Sequence, residues 1–488
     1  MLRSSMSATC QPRLEALETR EVLNGDWFSA HLPSPSVAAL ARADYAHHDS
    51  INYNDMLQIY AQIEKSATVT SAEFASLSSL ATNASLLKTP ASVAYFETQV
   101  IGENPANSAF QYLNSKGNVV STSLGDLQIG SSHTRLGELV NKWFLGVNEP
   151  TAATTYSAAK GSLFGSNGPV FTDVHQGEVG DCWLLSSLAE VAVQQPGLIS
   201  NMFTYDCTKA INGHSVEVFT VRLFSNGAPT YVTVDTELPD GGGYYDHPAN
   251  GVLWVALAEK AYAEANEADV VQTGKPGSIS YGALNEGYPS WALTAITGLP
   301  ASYVAINPSN AAAAFEAGQM VVFCTQNPPS QYIVASHCYA MVGYNASSNM
   351  PFKVYNPWGS SSNGWALGDN SVYGLFNANA AFISQNFATE SIAGTSGSGL
   401  EPLALTPAAN AIPMECKTTP IPASVTISVD SGNGPAILFN DLIGSHSNPE
   451  FNNPGLNTLV EKAPHHSEWD QGLGAVSWGI WIETTETF

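Results

Sequence analysis

From about Val37 to Gly146 the apolar positions recur at intervals of three and four, as in Met56, Ile59, Tyr60 and Ile63, or Leu136, Leu139, Val140, Trp143 and Phe144. That period lays them along one face of a helix, so residues 37–146 are predicted to be helical. Residues 147–168 are rich in Gly, Ser, Thr and Ala and read as a linker into a new domain. Between 169 and 390 two periods alternate. Helical runs such as WLLSSLAEVAVQ and LWVALAEKAYAEAN are interleaved with β-like runs, among them VEVFTVRLF, TYVTVDTEL, QMVVFCTQ, CYAMVGYNA and PFKVYNP, each bounded by Gly, Pro or Asn. This mixture is of the α+β class. A second linker is expected over 391–419, and the runs ASVTISVD and AVSWGIWIET predict a small β-rich region at 420–488.

Two stretches of the helical region, DYAHHDSINYND and QIEKSATVTSAEF, carry a central aliphatic residue (Ile51, Val69) and an acid four residues later (Asp55, Glu73), as an EF-hand loop does. Ala46 and His48 occupy earlier ligand places in the first, Gln62, Glu64 and Ser66 in the second, and both lack the turn glycine. They read as degenerate loops, or as helix starts in which Thr70 and Glu73 form a capping box.

Composition narrows the function. With 488 residues the chain is long enough for two to four domains, and 44% hydrophobic residues suffice for a core. Only 12% of residues are charged, and 17 Lys and Arg against 42 Asp and Glu leave a formal charge of -25. Such a surface repels phosphate backbones and anionic lipid, so nucleic acid is excluded as a partner. No apolar run is long enough to span a bilayer. The six cysteines (10, 182, 207, 324, 338 and 416) are dispersed without a CxxC pair, so most are expected to be free thiols, with no zinc site. The first 36 residues lack an apolar signal core, but Arg13–Asn24 resembles the LExLExR sorting segments of some bacterial envelope proteins. The implied location is the bacterial cell envelope or the exterior, with the cytoplasm as the alternative.

The chemistry is concentrated in three short segments. QGEVGDCWLLSSLAEV places Cys182 at the first turn of an apolar helix, with Asp181 as the expected N-cap. Unpaired N–H groups there, and a nearby imidazolium, can lower a thiol pKa from about 8.5 to about 3–4. ASHCYAMVGY places His337 at the head of an apolar strand, and FKVYNPWG ends another strand on Asn356, followed by Trp358. The order Cys, His, Asn and its spacing come close to the reach of roughly 130 to 150 residues seen in papain-like enzymes. In this reading Cys182 is the nucleophile, His337 its base, Asn356 the group that orients the imidazole, and Trp358 a roof against water. Gln176 is then a candidate oxyanion donor, together with the backbone N–H of Cys182.

DVHQGEVGDCWLLSSLAE, SHCYAMVGY and VYNPWG together resemble the calpain family, and the likeness extends from GSLF at 161 to about 390. The resemblance implies a papain-like core of two subdomains, one with Cys182 and the other with His337 and Asn356. It further implies Gln176 as oxyanion donor, Trp358 as a wedge, and cysteine endopeptidase activity on protein or peptide substrates through a thioester. It also implies two calcium sites in the core. Asp173 matches an acidic ligand of the first, but Val252 stands where the family has glutamate, and SSSNGWALGDN after NPWG lacks the acidic pair of the second. Both core sites therefore look depleted: no cofactor is expected to be required, and calcium remains a possible ligand with weak or absent calcium dependence expected. The alternatives are a non-catalytic calpain-like binding or scaffold module, and an amidase or acyltransferase using the same triad.

Overall fold

The computed structural model of the protein describes residues 27–211, 214–247, 251–328, 330–359 and 372–394. Expectations for the sorting-like segment up to residue 26, for SSSNGWALGDN, for the second linker beyond residue 394 and for the β-rich tail at 420–488 fall outside these residues. Apart from those between 210 and 214, the described residues make up one compact unit.

Among the described residues the amino-terminal region holds six α-helices: Trp27–His31, Pro35–His48, Tyr53–Ile63, Ser71–Thr82, Ala91–Ile101 and His133–Trp143. Both EF-hand-like stretches end as capping boxes. The Asn52 side chain accepts from the N–H of Asn54 and Asp55, while Asp55 accepts from the N–H of Asn52 at 2.8 Å. Thr70 and Glu73 reciprocate in the same way, at 3.2 and 2.8 Å. The acids in the twelfth place are thus turned toward orphan helix N–H groups. The region also departs from all-helical: β1 (Ala109–Leu113) and β2 (Val119–Ser123) form an antiparallel hairpin. Its turn is written in NSKGN, where Gly117 takes φ 72° and the Asn114 side chain accepts from the N–H of Lys116 and Asn118.

Tyr60, Phe96 and Phe144 interlock edge-on in the core of this region, with Phe144 centroids 5.3 and 5.5 Å from the other two. Cys207 and Val218 join the same core, so the helices are packed on a three-stranded sheet of β4 (Phe203–Ile211), β5 (His214–Ser225) and β6 (Ala228–Asp235). The stretch 147–168 is more than a tether: β3 (Tyr156–Ala158) pairs with β7 (Glu237–Pro239). Within the same stretch Glu149 is buried against Lys260 at 2.7 Å.

Two helices, Cys182–Gln194 and Trp254–Ala265, are buried around most of their circumference, as their nearly continuous apolar sequence requires. The first lies on a six-stranded antiparallel sheet in the order β12-β11-β10-β9-β13-β8. The strands are β8 (Ala301–Ala305), β9 (Met320–Cys324), β10 (Cys338–Tyr344), β11 (Phe352–Tyr355), β12 (Leu375–Ala378) and β13 (Thr389–Ala393). Alternate residues serve opposite faces. Val322, Cys338 and Ala340 share a core with Leu185 and Leu188, while Val321, Phe323, Tyr339 and Met341 share another with the helix Pro308–Glu316. β10 and β11 therefore end beside the amino terminus of the Cys182 helix.

Candidate active site

His337 stands directly before β10 and Asn356 directly after β11, neighbouring antiparallel strands whose register sets Ala340 opposite Tyr355. Both side chains are buried, and His337 Nε2 lies 2.8 Å from Asn356 Oδ1. The backbone N–H of Trp358 donates to the same oxygen at 3.1 Å. The Trp358 N–H can only donate, which identifies this atom as the carbonyl oxygen; a ring nitrogen facing it must then carry the hydrogen, which assigns the hydrogen to Nε2 of His337 and leaves Nδ1 a lone pair free to accept a proton. The Trp358 indole packs on the imidazole at 4.8 Å between centroids, its outer side exposed. The fold thus brings together the two residues that the sequence analysis singled out at the ends of these strands.

Cys182 is the first residue of its helix, and it is a free, buried thiol. The backbone N–H of Cys338, the residue after His337, reaches its sulfur, and Ser186 one turn on donates to the Cys338 carbonyl at 2.9 Å. No hydrogen bond joins the thiol to His337 among the described residues. The expected depression of the thiol pKa is not found: burial pushes Cys182 up to about 11, and the adjoining Asp181 adds to the rise. Burial also lowers His337 to about 4, against a smaller upward pull from Asn356. In this geometry the two groups rest as neutral thiol and neutral imidazole, because each charge would have to be held without solvent. Alkylation of substrate-free protein by iodoacetamide is therefore expected to be slow at neutral pH and to climb toward pH 11. A rate already at its plateau near pH 5 would reveal a thiolate–imidazolium pair instead.

Asp181 does not cap the helix with its side chain. Its carboxyl turns inward and lies against Gln176 and the Glu259 carboxyl, and burial raises it to about 7. Asp246 is buried in the same pocket and accepts from the N–H of His175, while its own N–H donates to Glu259. Sequence reasoning missed Asp246 and Glu259, for no local pattern marks a buried carboxyl. Gln176 is beside the site, its N–H donating to Pro357 O at 2.8 Å. Its side-chain amide donates to Val179 O at 2.7 Å, so it braces the loop before the nucleophile. That loop is close-packed: a Cβ on Gly177 would fall 1.7 Å from the Tyr245 carbonyl oxygen.

Asp173 is likewise engaged, accepting from the Trp254 indole N–H at 2.7 Å and from the N–H of Val170 at 3.0 Å. Val252, at the position of the family's glutamate, is buried in the apolar core. Among the described residues no cluster of three His, Cys, Asp or Glu could hold a metal ion, and no helix is long and apolar enough to cross a membrane.

The expectation that most cysteines are free is overturned. Cys324 and Cys338 form a disulfide, and Cys207 is disulfide-bonded too, leaving Cys182 as the free thiol among the described cysteines. The cause is register: β9 and β10 set Cys324 directly opposite Cys338, a neighbourhood invisible in their sequence separation.

Residues 154–372 match the family model of calpain family cysteine proteases. The calpain-2 catalytic subunit of Gallus gallus is 27% identical over 218 residues, 40% of this chain and 29% of the relative. The human calpain-2 catalytic subunit is 28% identical over 39% of this chain and 28% of its own length. Calpain-13 of Rattus norvegicus is 25% identical over 41% of this chain and 31% of its own. The chain thus spans less than a third of the length of these curated relatives. The sheet that holds His337 runs past the matched stretch, since β12 and β13 lie beyond residue 372.

Proposed function

We propose that the chain is a cysteine endopeptidase of calpain type, with Cys182 as nucleophile, His337 as general base and acid, and Asn356 as the residue that orients the imidazole. The observation that carries this reading is the His337–Asn356 pair, covered by Trp358 and tied through Cys338 to the helix that begins at Cys182. The arrangement is papain-like: one subdomain brings the nucleophile helix and the other the sheet with the His and Asn, and substrate enters between them. Nδ1 of His337 takes the thiol proton as sulfur attacks the scissile carbonyl, and gives it to the leaving amine. Water then hydrolyses the thioester. The backbone N–H of Cys182 and the Gln176 amide, released from Val179, hold the oxyanion.

Burial of both the thiol and the imidazole supports a resting form that substrate must open. The engaged Asp173 and the apolar Val252 support activity that does not depend on calcium. The disulfides support an oxidising compartment such as the cell envelope or the exterior. One assay addresses these points: an unfolded polypeptide is incubated with the protein in chelator and in calcium, and the products are read by mass spectrometry. Internal cleavages at similar rates in both are expected. Trimming from the ends alone, or no cleavage, would overturn the endopeptidase. Activity that vanishes in chelator and rises sharply at roughly micromolar calcium would overturn the calcium independence.

A further inference from the structure

His337 lies at the end of the connection between β9 and β10, whose described residues, 325–328 and 330–337, form no helix or strand. Such segments are poor platforms for a group that must meet its partner within a fraction of an ångström. Here the end of the loop is fastened several times over. Thr325 donates its N–H to the His337 carbonyl at 2.9 Å, and its hydroxyl accepts the His337 N–H at 3.1 Å. The same hydroxyl lies 2.6 Å from Val334 O and 3.2 Å from His337 O, with its one hydrogen shared between them, so it grips both ends of the turn that leads into His337. Ser336, immediately before the histidine, takes φ 51°, a left-handed conformation that costs a non-glycine residue energy and persists only where the surroundings impose it. The Tyr339 hydroxyl holds the N–H of Val334, and its ring meets the imidazole edge-on at 4.9 Å. One residue outward from Thr325 and His337, the Cys324–Cys338 disulfide closes the loop covalently.

Cys338 also links this loop to the nucleophile. Its N–H reaches the Cys182 sulfur, and its carbonyl accepts from Ser186 of the nucleophile helix. The disulfide therefore fixes a peptide unit that belongs to both halves of the reacting pair.

We propose that Thr325 and the Cys324–Cys338 disulfide are positioning elements for the reaction, a clamp on the main chain of His337 that sets where the imidazole stands relative to Cys182. The inference rests on the cysteine endopeptidase reading above and assigns no contact with substrate to either element. It follows that the protein works with the Cys324–Cys338 pair oxidised while Cys182, in hydrogen-bond contact with the Cys338 N–H, stays reduced. A dithiol reductant converts the clamp to two thiols, itself becoming a disulfide, and lowers turnover, while a monothiol mild enough to spare the clamp keeps Cys182 active.

The test is steady-state kinetics on full-length protein with Thr325→Val, Thr325→Ser and the double variant Cys324→Ala/Cys338→Ala, each checked for folding by thermal melting. Thr325→Val keeps the shape and removes the hydroxyl. It is expected to lower kcat about tenfold or more with KM little changed, because a misplacement of about 1 Å at a reacting group can cost 100-fold. Thr325→Ser restores the hydroxyl and is expected to recover most of kcat, which a packing role would not require. The double variant is expected to lose kcat comparably, and to lose the dithiol sensitivity that the clamp confers, keeping only what the Cys207 disulfide contributes. Folded Thr325→Val and double variants with wild-type kcat, or a loss seen only in KM, would overturn the clamp. If Thr325→Val does not fold, the double variant and Thr325→Ser decide by the same criteria. Cys182→Ala separates the two levels: cleavage by wild-type protein that survives this change sinks the endopeptidase reading and the clamp with it. Cleavage that depends on Cys182 but ignores Thr325 and the disulfide sinks the clamp alone.

Discussion

Replacing Cys182 by alanine is expected to reduce peptide hydrolysis by about 10⁴-fold or more while leaving the fold intact. The size of the effect follows from the division of labour in the site. With the sulfur gone there is no atom to form the thioester, and the His337–Asn356 pair has no proton to take. His337→Ala is expected to cost a similar factor, and the two changes together scarcely more than either, since groups that act as a unit do not add. Folding is spared in Cys182→Ala because the thiol is a small side chain held by a backbone N–H rather than a buried charge. Rates from wild-type and variant protein on one fluorogenic peptide check this. A Cys182→Ala protein that keeps a tenth of the wild-type rate would be incompatible with the proposed mechanism.

The largest effect on stability is expected far from the thiol, at Lys260. Its ammonium group is fully buried in the Trp254–Ala265 helix, 2.7 Å from Glu149 and 2.8 Å from Asp235, and it also donates to the carbonyls of Asp235 and Glu237. Burial alone would lower its pKa, but Asp235 and Glu149 outweigh that and hold it above the usual lysine value, so it stays charged. Lys209, 3.3 Å from Asp235, completes the cluster. Lys260→Ala would leave buried carboxyls facing a cavity, and breaking such a pair from one side costs about 3–5 kcal/mol. Equilibrium denaturation should show that loss. A change below about 1 kcal/mol would mean that the carboxyls are neutral and the network adds little. Because Glu149 belongs to the 147–168 stretch and Leu145 supplies the carbonyl that Lys209 meets, the cluster also fastens the helical region to the sheet domain.

What the sequence revealed, and what it hid, follows from the range of the interactions. Helix periods, the Thr70–Glu73 box and the strands that end on His337 and Asn356 are encoded locally, and they are found where the pattern puts them. Cys182, His337 and Asn356 stood out as candidates because each sits at the end of an element, next to a residue type that marks that end. The hairpin at Ala109–Ser123 was readable in NSKGN, but its short strands gave too little alternation to outweigh the helical runs around it. The Cys324–Cys338 pairing, the Thr325 clamp and the carboxyls of Asp181, Asp246 and Glu259 depend on register between strands or packing between helices. The thiol pKa was misjudged for the same reason: the helix terminus is written in GDCW, but the burial that opposes it comes from tertiary packing that no local pattern records.

The central claim is that Cys182 becomes a nucleophile through His337. It is tested most directly by incubating the protein with a peptidyl epoxide inhibitor of cysteine proteases and mapping the adduct by mass spectrometry, for wild type and His337→Ala. One adduct per chain is expected, on Cys182, and it is expected to be lost in His337→Ala. An adduct that forms equally without His337, or one that leaves Cys182 untouched, would contradict it.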